Sequence, residues 1–389
     1  MRILSVLNSL PPTFSGATRS WFRLLPTLSL RGVQVDVLGR RSDGEFVLNR
    51  ADGTTTKIWV PLLAKRSYVG EILAVLRALW ASRNQYRCVI FVGAFDALFA
   101  SLVLKYALRQ RIAYRMSMLG EDDPAAIGRS GRFGWLRLRL LRISDAVICI
   151  NPLMADISAR MGFARARIFT ILQGTDTEHF RPPTADRKQF LRERLGFSTS
   201  DRIVMFCGVI TYRKGLDILL RAWPYVVARE SSARLLVVGP SGDADDPDGT
   251  FIRKINDAAN ASHCKGTVQF AGYQRDVRDH MQAADIFTLP SRMEGTPNAV
   301  IEAMSVGLPC VVSDLPGVTG TFLRDKREGL IISIGDWEGL AASLHALVTN
   351  QALATEFGAR ARSRVTEYFS IDSVAQQYFD MFTAVGGKS

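Results

Sequence analysis

The stretch Ile286-Phe-Thr-Leu-Pro-Ser-Arg-Met-Glu-Gly-Thr-Pro-Asn-Ala-Val-Ile-Glu-Ala-Met-Ser-Val-Gly-Leu-Pro309 sets the reading of the whole chain. Ile286–Leu289 is a short apolar run closed by proline, which reads as a buried strand. Thr296 is suited to cap a helix and Pro297 to occupy its first turn, so a helix is expected to begin there. Val300, Ile301 and Met304 give that helix a buried face, and Gly307 ends it. The backbone N–H groups of Gly295, Thr296, Pro297 and Asn298 surround the expected helix start, less the one proline lacks, and such a start is a seat for phosphate. Glu294 lies in the loop before the helix and Glu302 about a turn and a half inside it. A carboxylate within an apolar helix is costly unless it binds something, and a ribose diol is one suitable partner. The alternative is a plain helix cap with an exposed glutamate.

The same strand–loop–helix pattern recurs outward from this stretch. Apolar runs at Ile203–Cys207, Arg234–Val238, Val268–Phe270, Cys310–Ser313 and Leu330–Ile332 alternate with helical segments. Before them lie Ile3–Leu7, Gln34–Leu38, Val89–Val92, Arg111–Arg115, Ala146–Ile150 and Ile168–Leu172, separated by helical patterns such as Thr18–Ser29, Tyr68–Ser82 and Ala97–Leu108. Runs that are continuously apolar, rather than alternating, belong to parallel strands buried on both faces. Around residue 181 the sequence Arg-Pro-Pro-Thr-Ala-Asp-Arg reads as a linker. The expected fold class is therefore α/β, with two doubly wound Rossmann-like domains and a cleft between them. The boundaries are 1–185, 186–370 and a C-terminal segment 371–389. Ligands are expected at the carboxyl ends of the strands.

Composition narrows the function classes. The chain has 389 residues, 47% of them hydrophobic, and a net charge of +12. It is long enough to bury two cores, and disorder and disulfide-stapled miniproteins are excluded. The charge is lopsided: residues 1–186 hold 26 Lys/Arg against 14 Asp/Glu, whereas 187–389 balance. An anionic partner for the first half is implied, against the plainer reading of a generally basic protein. Five cysteines, with no CxxC pair and four of them in apolar runs, fit a reducing compartment and a cytoplasmic location. No apolar stretch is long enough for a membrane span. Arg129–Ile143, with five arginines, Phe133 and Trp135, reads either as a basic amphipathic helix for an anionic membrane surface or as a packed helix with a solvated arginine face. Tyr68–Arg87 could add a second such surface. Nucleic acid is not expected as a partner, because no recognised module accompanies the charge. No metal site is expected either. Asp243-Ala-Asp-Asp-Pro-Asp248 lacks the spacing of a calcium loop and reads as solvated surface.

The quoted stretch resembles the E-x7-E segment of the retaining glycosyltransferases of family 4, which have the GT-B fold. Phe206-Cys-Gly-Val-Ile-Thr-Tyr-Arg-Lys-Gly-Leu-Asp217 is similar to the family's G-R-x4-K-G stretch, and Thr170-Ile-Leu-Gln-Gly-Thr-Asp-Thr-Glu-His-Phe-Arg-Pro182 to its I-P-N-G-V-D segment. The resemblance covers nearly the whole chain and is most specific in the C-terminal half. It implies a hexosyltransferase-type enzyme with no cofactor, whose co-substrate is a nucleotide-diphosphate sugar bound mainly by the second domain. Glu302 would take the ribose hydroxyls, Glu294 would lie beside the donor sugar, and Lys214, with Arg213 near it, would meet the diphosphate. A lysine just after a strand end suits a departing diphosphate. In the first domain Gly16 would allow close approach of the donor, although an ordinary strand-to-helix loop reads equally well there. The acceptor implied is a glycan or lipid-linked precursor at the inner membrane face. The helix Ile371–Val385 would cross back onto the first domain.

Two positions depart from the family pattern. Val209 stands where arginine is usual. No histidine precedes His179, so the acceptor-side group is unassigned, with Glu121, Asp122 and Asp123 as candidates or as an exposed acidic turn. Two other readings stay open: a non-catalytic nucleotide-sugar sensor or scaffold at a membrane, and a nucleotide-sugar isomerase or hydrolase on the same fold. A nicotinamide-dependent oxidoreductase is set aside, since no GxGxxG turn follows either first strand.

Overall fold

The computed structural model describes the chain apart from residues 8–9, 11–15, 42, 44, 61–67, 82–84, 94–98, 242–248, 262–263 and 387–389. It divides into two compact units, Met1–Gly174 with Ile371–Ser389, and Thr175–Ser370.

Unit 1 is built on an eight-stranded sheet. Its strands are β1 (Arg2–Leu7), β2 (Gln34–Arg40), β3 (Phe46–Asn49), β4 (Thr55–Ile58), β5 (Cys88–Val92), β6 (Ile112–Arg115), β7 (Ala146–Cys149) and β8 (Ile168–Thr170), in the order β4-β3-β2-β1-β5-β6-β7-β8. From β2 to β8 neighbouring strands are parallel. Alternate residues of each strand feed opposite faces. Leu4, Val6, Val89, Phe91, Tyr114 and Val147 fill one core, and Ile3, Leu7, Val35, Val37, Ile90 and Ile148 the other. Burial on both faces explains why these strands read as unbroken apolar runs. The second core is covered by Trp21, Leu24 and Leu28 of helix Gly16–Leu30. Val374, Tyr378 and Phe382 of the C-terminal helix Ile371–Gly386 complete it.

The hairpin β3–β4, antiparallel to β2, is absent from the sequence reading. Its strands are four residues each; β3 offers only the three-residue apolar run Phe46–Leu48, and every β4 residue is exposed or half-buried. The Asp52-Gly53 pair in its turn is the signal that could have found it. Two other expectations change. Ala97–Leu108 is not a plain α-helix, because Val103–Ala107 within it is π-helical; its first two residues lie outside the described residues. Arg129–Ile143 is not one helix either. A helix Pro124–Arg129 stops at Ser130, whose backbone is extended, and a second runs Gly134–Arg142. Gly134 permits that turn, since a β-carbon there would lie 2.6 Å from the Gly128 carbonyl oxygen.

Unit 2 holds β9 (Arg202–Cys207), β10 (Ala233–Val238), β11 (Val268–Gly272), β12 (Ile286–Leu289), β13 (Cys310–Ser313) and β14 (Gly329–Ile332). The strands are all parallel, in the order β11-β10-β9-β12-β13-β14. The order reverses between β9 and β12, so the loops after these two strands form the topological switch point, where such sheets bind ligands. The unit begins at Thr175, before the double proline of the expected linker. Residues 177–181 are tied into it: Ser305 Oγ donates to the Phe180 carbonyl at 2.8 Å, Gln282 Nε2 to Arg181 at 2.8 Å, and Arg362 to Thr177 at 2.9 Å. All five cysteines are free and buried.

Candidate functional site

The switch point of unit 2 is where the charged side chains gather. After β9 the chain makes a single 3-10 turn, Tyr212–Lys214, and enters helix Leu216–Val227 through Gly215. Gly215 is required there. Its φ is +73°, and a β-carbon would lie 2.0 Å from the Pro290 carbonyl oxygen in the loop after β12. The two loops are thus packed backbone to backbone. Across this contact Lys214 Nζ donates to Glu294 Oε1 at 2.6 Å, and Arg213 Nη1 to Glu294 Oε2 at 3.2 Å and to the Met293 carbonyl at 2.9 Å. Ser291 Oγ donates to Glu294 Oε1 at 2.8 Å.

Glu294 is 6% exposed. Burial raises its carboxyl pKa, but Lys214 and Arg213 beside it, with the Lys214 and Ser291 hydrogen bonds, outweigh that and hold it below the usual glutamate range. It is therefore a carboxylate at neutral pH. The two cations exceed its charge by one, so the cluster has residual positive charge for an anionic ligand. The stem of Lys214 lies over Gly208, whose β-carbon would sit 3.5 Å from Lys214 Cδ and Cε.

Gly295, Thr296 and Pro297 lead from Glu294 into the helix Asn298–Val306. Pro297 is the N-cap, so the helix starts one residue later than Pro297 in the first turn would require, and Thr296 is not the cap. The first-turn N–H groups of any helix lack intrahelical acceptors, and the macrodipole makes that end positive. Glu302 is 5% exposed within this otherwise apolar helix. Arg213, Lys214, Glu294 and the helix start thus come together in one unit, with Glu302 further along the same helix. Gly16 opens helix Gly16–Leu30 in unit 1, while residues 11–15 before it lie outside the described residues, as do His263 and residues 243–248. Val209 is exposed and brings no charge to the cluster.

Sequence reasoning missed Ser291, Asp217 and Arg292. Arg292 Nη1 and Nη2 pair with the two Asp217 carboxylate oxygens at 2.8 and 2.6 Å, and its guanidinium lies 3.7 Å over the Tyr212 ring. A serine and an arginine after a strand carry no signal by themselves; the pairing exists only once the loops are docked.

In unit 1 the acidic turn is internal. Asp122 and Asp123 are 1% and 3% exposed. Asp122 accepts from Ser117 N at 2.6 Å, Met118 N at 2.7 Å and the Ser117 hydroxyl. Asp123 accepts from Gly120, Ala125 and Ala126 N–H, capping helix Pro124–Arg129. Burial drives the Asp122 carboxyl up to about 6 against these donors and Arg115. Both carboxylates organise the loop after β6, and only Glu121 is exposed. Among the described residues no group of three or more His, Cys, Asp or Glu is placed to hold a metal ion.

Two family models match the chain: "Glycosyltransferase Family 4" over residues 14–179 and "Glycosyl transferases group 1" over 201–350. A lipopolysaccharide core biosynthesis glycosyltransferase, LpsE of Rhizobium meliloti (strain 1021), is 26% identical over 95% of this chain and 96% of its own length. The UDP-Gal:alpha-D-GlcNAc-diphosphoundecaprenol alpha-1,3-galactosyltransferase of Escherichia coli is 26% identical over 62% of this chain, which spans 60% of that protein. The crystal structure of Anabaena Alr3699/HepE in complex with UDP and glucose matches with a TM-score of 0.76, covering 99% of this chain and 100% of that one at 16% identity. The two α/β sheets, one parallel throughout and one parallel from β2 to β8, are those of the GT-B fold. With one family model on each half of the chain, it belongs to the group 1, family 4-like glycosyltransferases.

Proposed function

We propose that the chain is a retaining glycosyltransferase. Its donor is a nucleotide-diphosphate sugar bound by unit 2, and its acceptor is a glycan or lipid-linked precursor bound by unit 1. The observation that carries this reading is the Glu294–Lys214–Arg213 cluster at the switch point of unit 2. In the reaction the bond from the sugar's anomeric carbon to the diphosphate oxygen breaks. The acceptor oxygen bonds to that carbon from the same face, and its proton passes to the departing diphosphate. The main task of the protein is then to stabilise the charge that grows on the leaving group. Lys214 and Arg213 supply positive charge, and the Gly295–Asn298 segment supplies N–H groups at a helix start. Glu302 accepts from the ribose hydroxyls. Glu294 orients the two cations and accepts from a hydroxyl of the donor sugar.

The relatives support the acceptor class by their names, one a lipopolysaccharide core enzyme and one acting on a diphosphoundecaprenol-linked sugar. Attachment to the cytoplasmic membrane face rests on a separate observation. Phe133 and Trp135 are 50% and 57% exposed on unit 1, with Arg129, Arg132 and Arg139 exposed beside them in sequence. Arg137 is half-buried and donates to Ser130, while Arg142 is exposed and donates to the Met161 carbonyl. Among the described residues no helix is long and apolar enough to cross a membrane. Binding to anionic vesicles that falls with salt and with combined R132Q/R139Q/W135A substitution is expected; binding indifferent to both would refute the attachment.

The catalytic reading is tested by incubating the chain with nucleotide sugars and lipid-linked acceptors and reading the product anomer by NMR. The expected product keeps the donor's configuration, and E294A and K214M each lower kcat/KM by roughly 10²-fold or more. Donor consumption without acceptor would favour an isomerase or hydrolase. Wild-type turnover in both variants would sink the assignment.

A further inference from the structure

Arg292 stands two residues before Glu294, yet its side chain turns away from the Glu294 network. It forms a two-pronged pair with Asp217, in the first turn of helix Leu216–Val227, and also donates to the Tyr212 carbonyl. Its guanidinium lies on the Tyr212 ring, and its backbone N–H donates to the Arg213 carbonyl at 2.8 Å. Every one of these contacts runs from the loop after β12 to the turn after β9 or to the helix that follows it. We propose that Arg292 is a positioning residue. Locked to Asp217 and Tyr212, it fixes the Tyr212–Lys214 turn against the Glu294 loop, so that Arg213 and Lys214 are held in place to neutralise a diphosphate.

This inference rests on the proposed reading of Lys214 as a diphosphate ligand and adds a part to it. The turn that carries both cations is a single 3-10 turn of three residues, a form with little rigidity of its own. Lys214 and Arg213 are long, flexible side chains, and their charge is useful only where the backbone beneath them stays put. The Arg292–Asp217 pair is itself neutral, so it adds no net charge to the cluster. Its effect is geometric, and lysine cannot reproduce it. An ammonium keeps the charge but loses both the parallel pair of bonds and the flat stacking surface.

The test uses the full chain and inorganic pyrophosphate, followed by 31P NMR titration, so that neither the nucleobase nor the sugar needs to be known. Thermal unfolding checks that each variant is folded. K214M is expected to weaken pyrophosphate binding most. R292K and D217N are each expected to weaken it about tenfold, and the R292K/D217N double variant no further than either alone. In an R213M/K214M background, where both cations are gone, R292K changes the affinity by less than about twofold, which a general loosening of the unit would not produce. Wild-type affinity in R292K, or an equal loss with and without the two cations, overturns this inference alone. Equal affinity in wild type and K214M overturns the diphosphate reading and this inference with it.

Discussion

Replacing Asp122 by asparagine changes the pH dependence of stability in a direction and size that the structure fixes. The carboxyl is 1% exposed and its pKa lies near 6, against 3.8 in an unfolded chain. Burial disfavours the charged form more than the Ser117 and Met118 donors and the Arg115 charge favour it. Between these two values the native state holds a proton that the unfolded state has released, so stability falls as pH rises. The contribution is complete below the unfolded value and lost as pH passes through the folded one. The difference of about 2 units corresponds to about 3 kcal/mol, lost between pH 4 and pH 7. For a unit of this size that is roughly 6–12 °C in Tm. The D122N variant lacks the titration and serves as the reference, since every other group titrates in both proteins. The assay is thermal unfolding of the two proteins across this range. The Tm of wild type minus that of D122N is expected to fall as pH rises, on top of a constant offset from the altered hydrogen bonds. A difference that is flat with pH, or that grows with pH, would refute the account of a buried, desolvated carboxyl organising the loop after β6.

Two further substitutions test the packing around the sites. G215A places a β-carbon 2.0 Å from the Pro290 carbonyl oxygen at a φ of +73°, and is expected to cost about 3 kcal/mol or more in urea unfolding while lowering transfer activity. A loss under about 1 kcal/mol would mean the two loops are not docked as described. Y378F keeps the edge-to-face contact with Trp21 but removes the hydroxyl that accepts from Arg115 Nε at 2.8 Å. Arg115 is buried and its Nη1 already has no protein partner, so a second unpaired donor should cost about 1.5–3 kcal/mol. An unchanged unfolding midpoint would show that this hydroxyl does not anchor the C-terminal helix.

Much of the fold was legible because parallel strands buried on both faces leave uninterrupted apolar runs. Every strand from β5 to β14 lies on a run identified in the sequence, as do β1 and β2. The β3–β4 hairpin was not legible, since β3 has a run of only three apolar residues and the edge strand β4 is exposed or half-buried throughout. The break in Arg129–Ile143 had a local signal in the Ser130-Gly131 pair, which the run of arginines overshadowed, and the close approach of Gly134 to the Gly128 carbonyl allows it. At the candidate site, Glu294 and Lys214 were marked by motif, and the structure brings them within hydrogen-bonding distance. Asp217 and Arg292 act through contacts between segments 75 residues apart along the chain, and Ser291 bonds Glu294 only within the folded loop. Local pattern does not encode such contacts. The acidic turn inverts the usual expectation for adjacent aspartates in a loop, because backbone N–H groups within the same loop bind both carboxylates.

The central claim is that unit 2 binds a nucleotide-diphosphate sugar through Lys214, Arg213 and Glu294. Thermal shift of wild type and K214M against UDP-, GDP-, ADP- and dTDP-sugars tests it most directly, since a ligand at 100 times its Kd stabilises the folded state by about 2.7 kcal/mol. The account predicts that at least one of these sugars raises the Tm of wild type and leaves K214M unmoved. A flat response of the wild type to every donor, or an equal shift in both proteins, would contradict it.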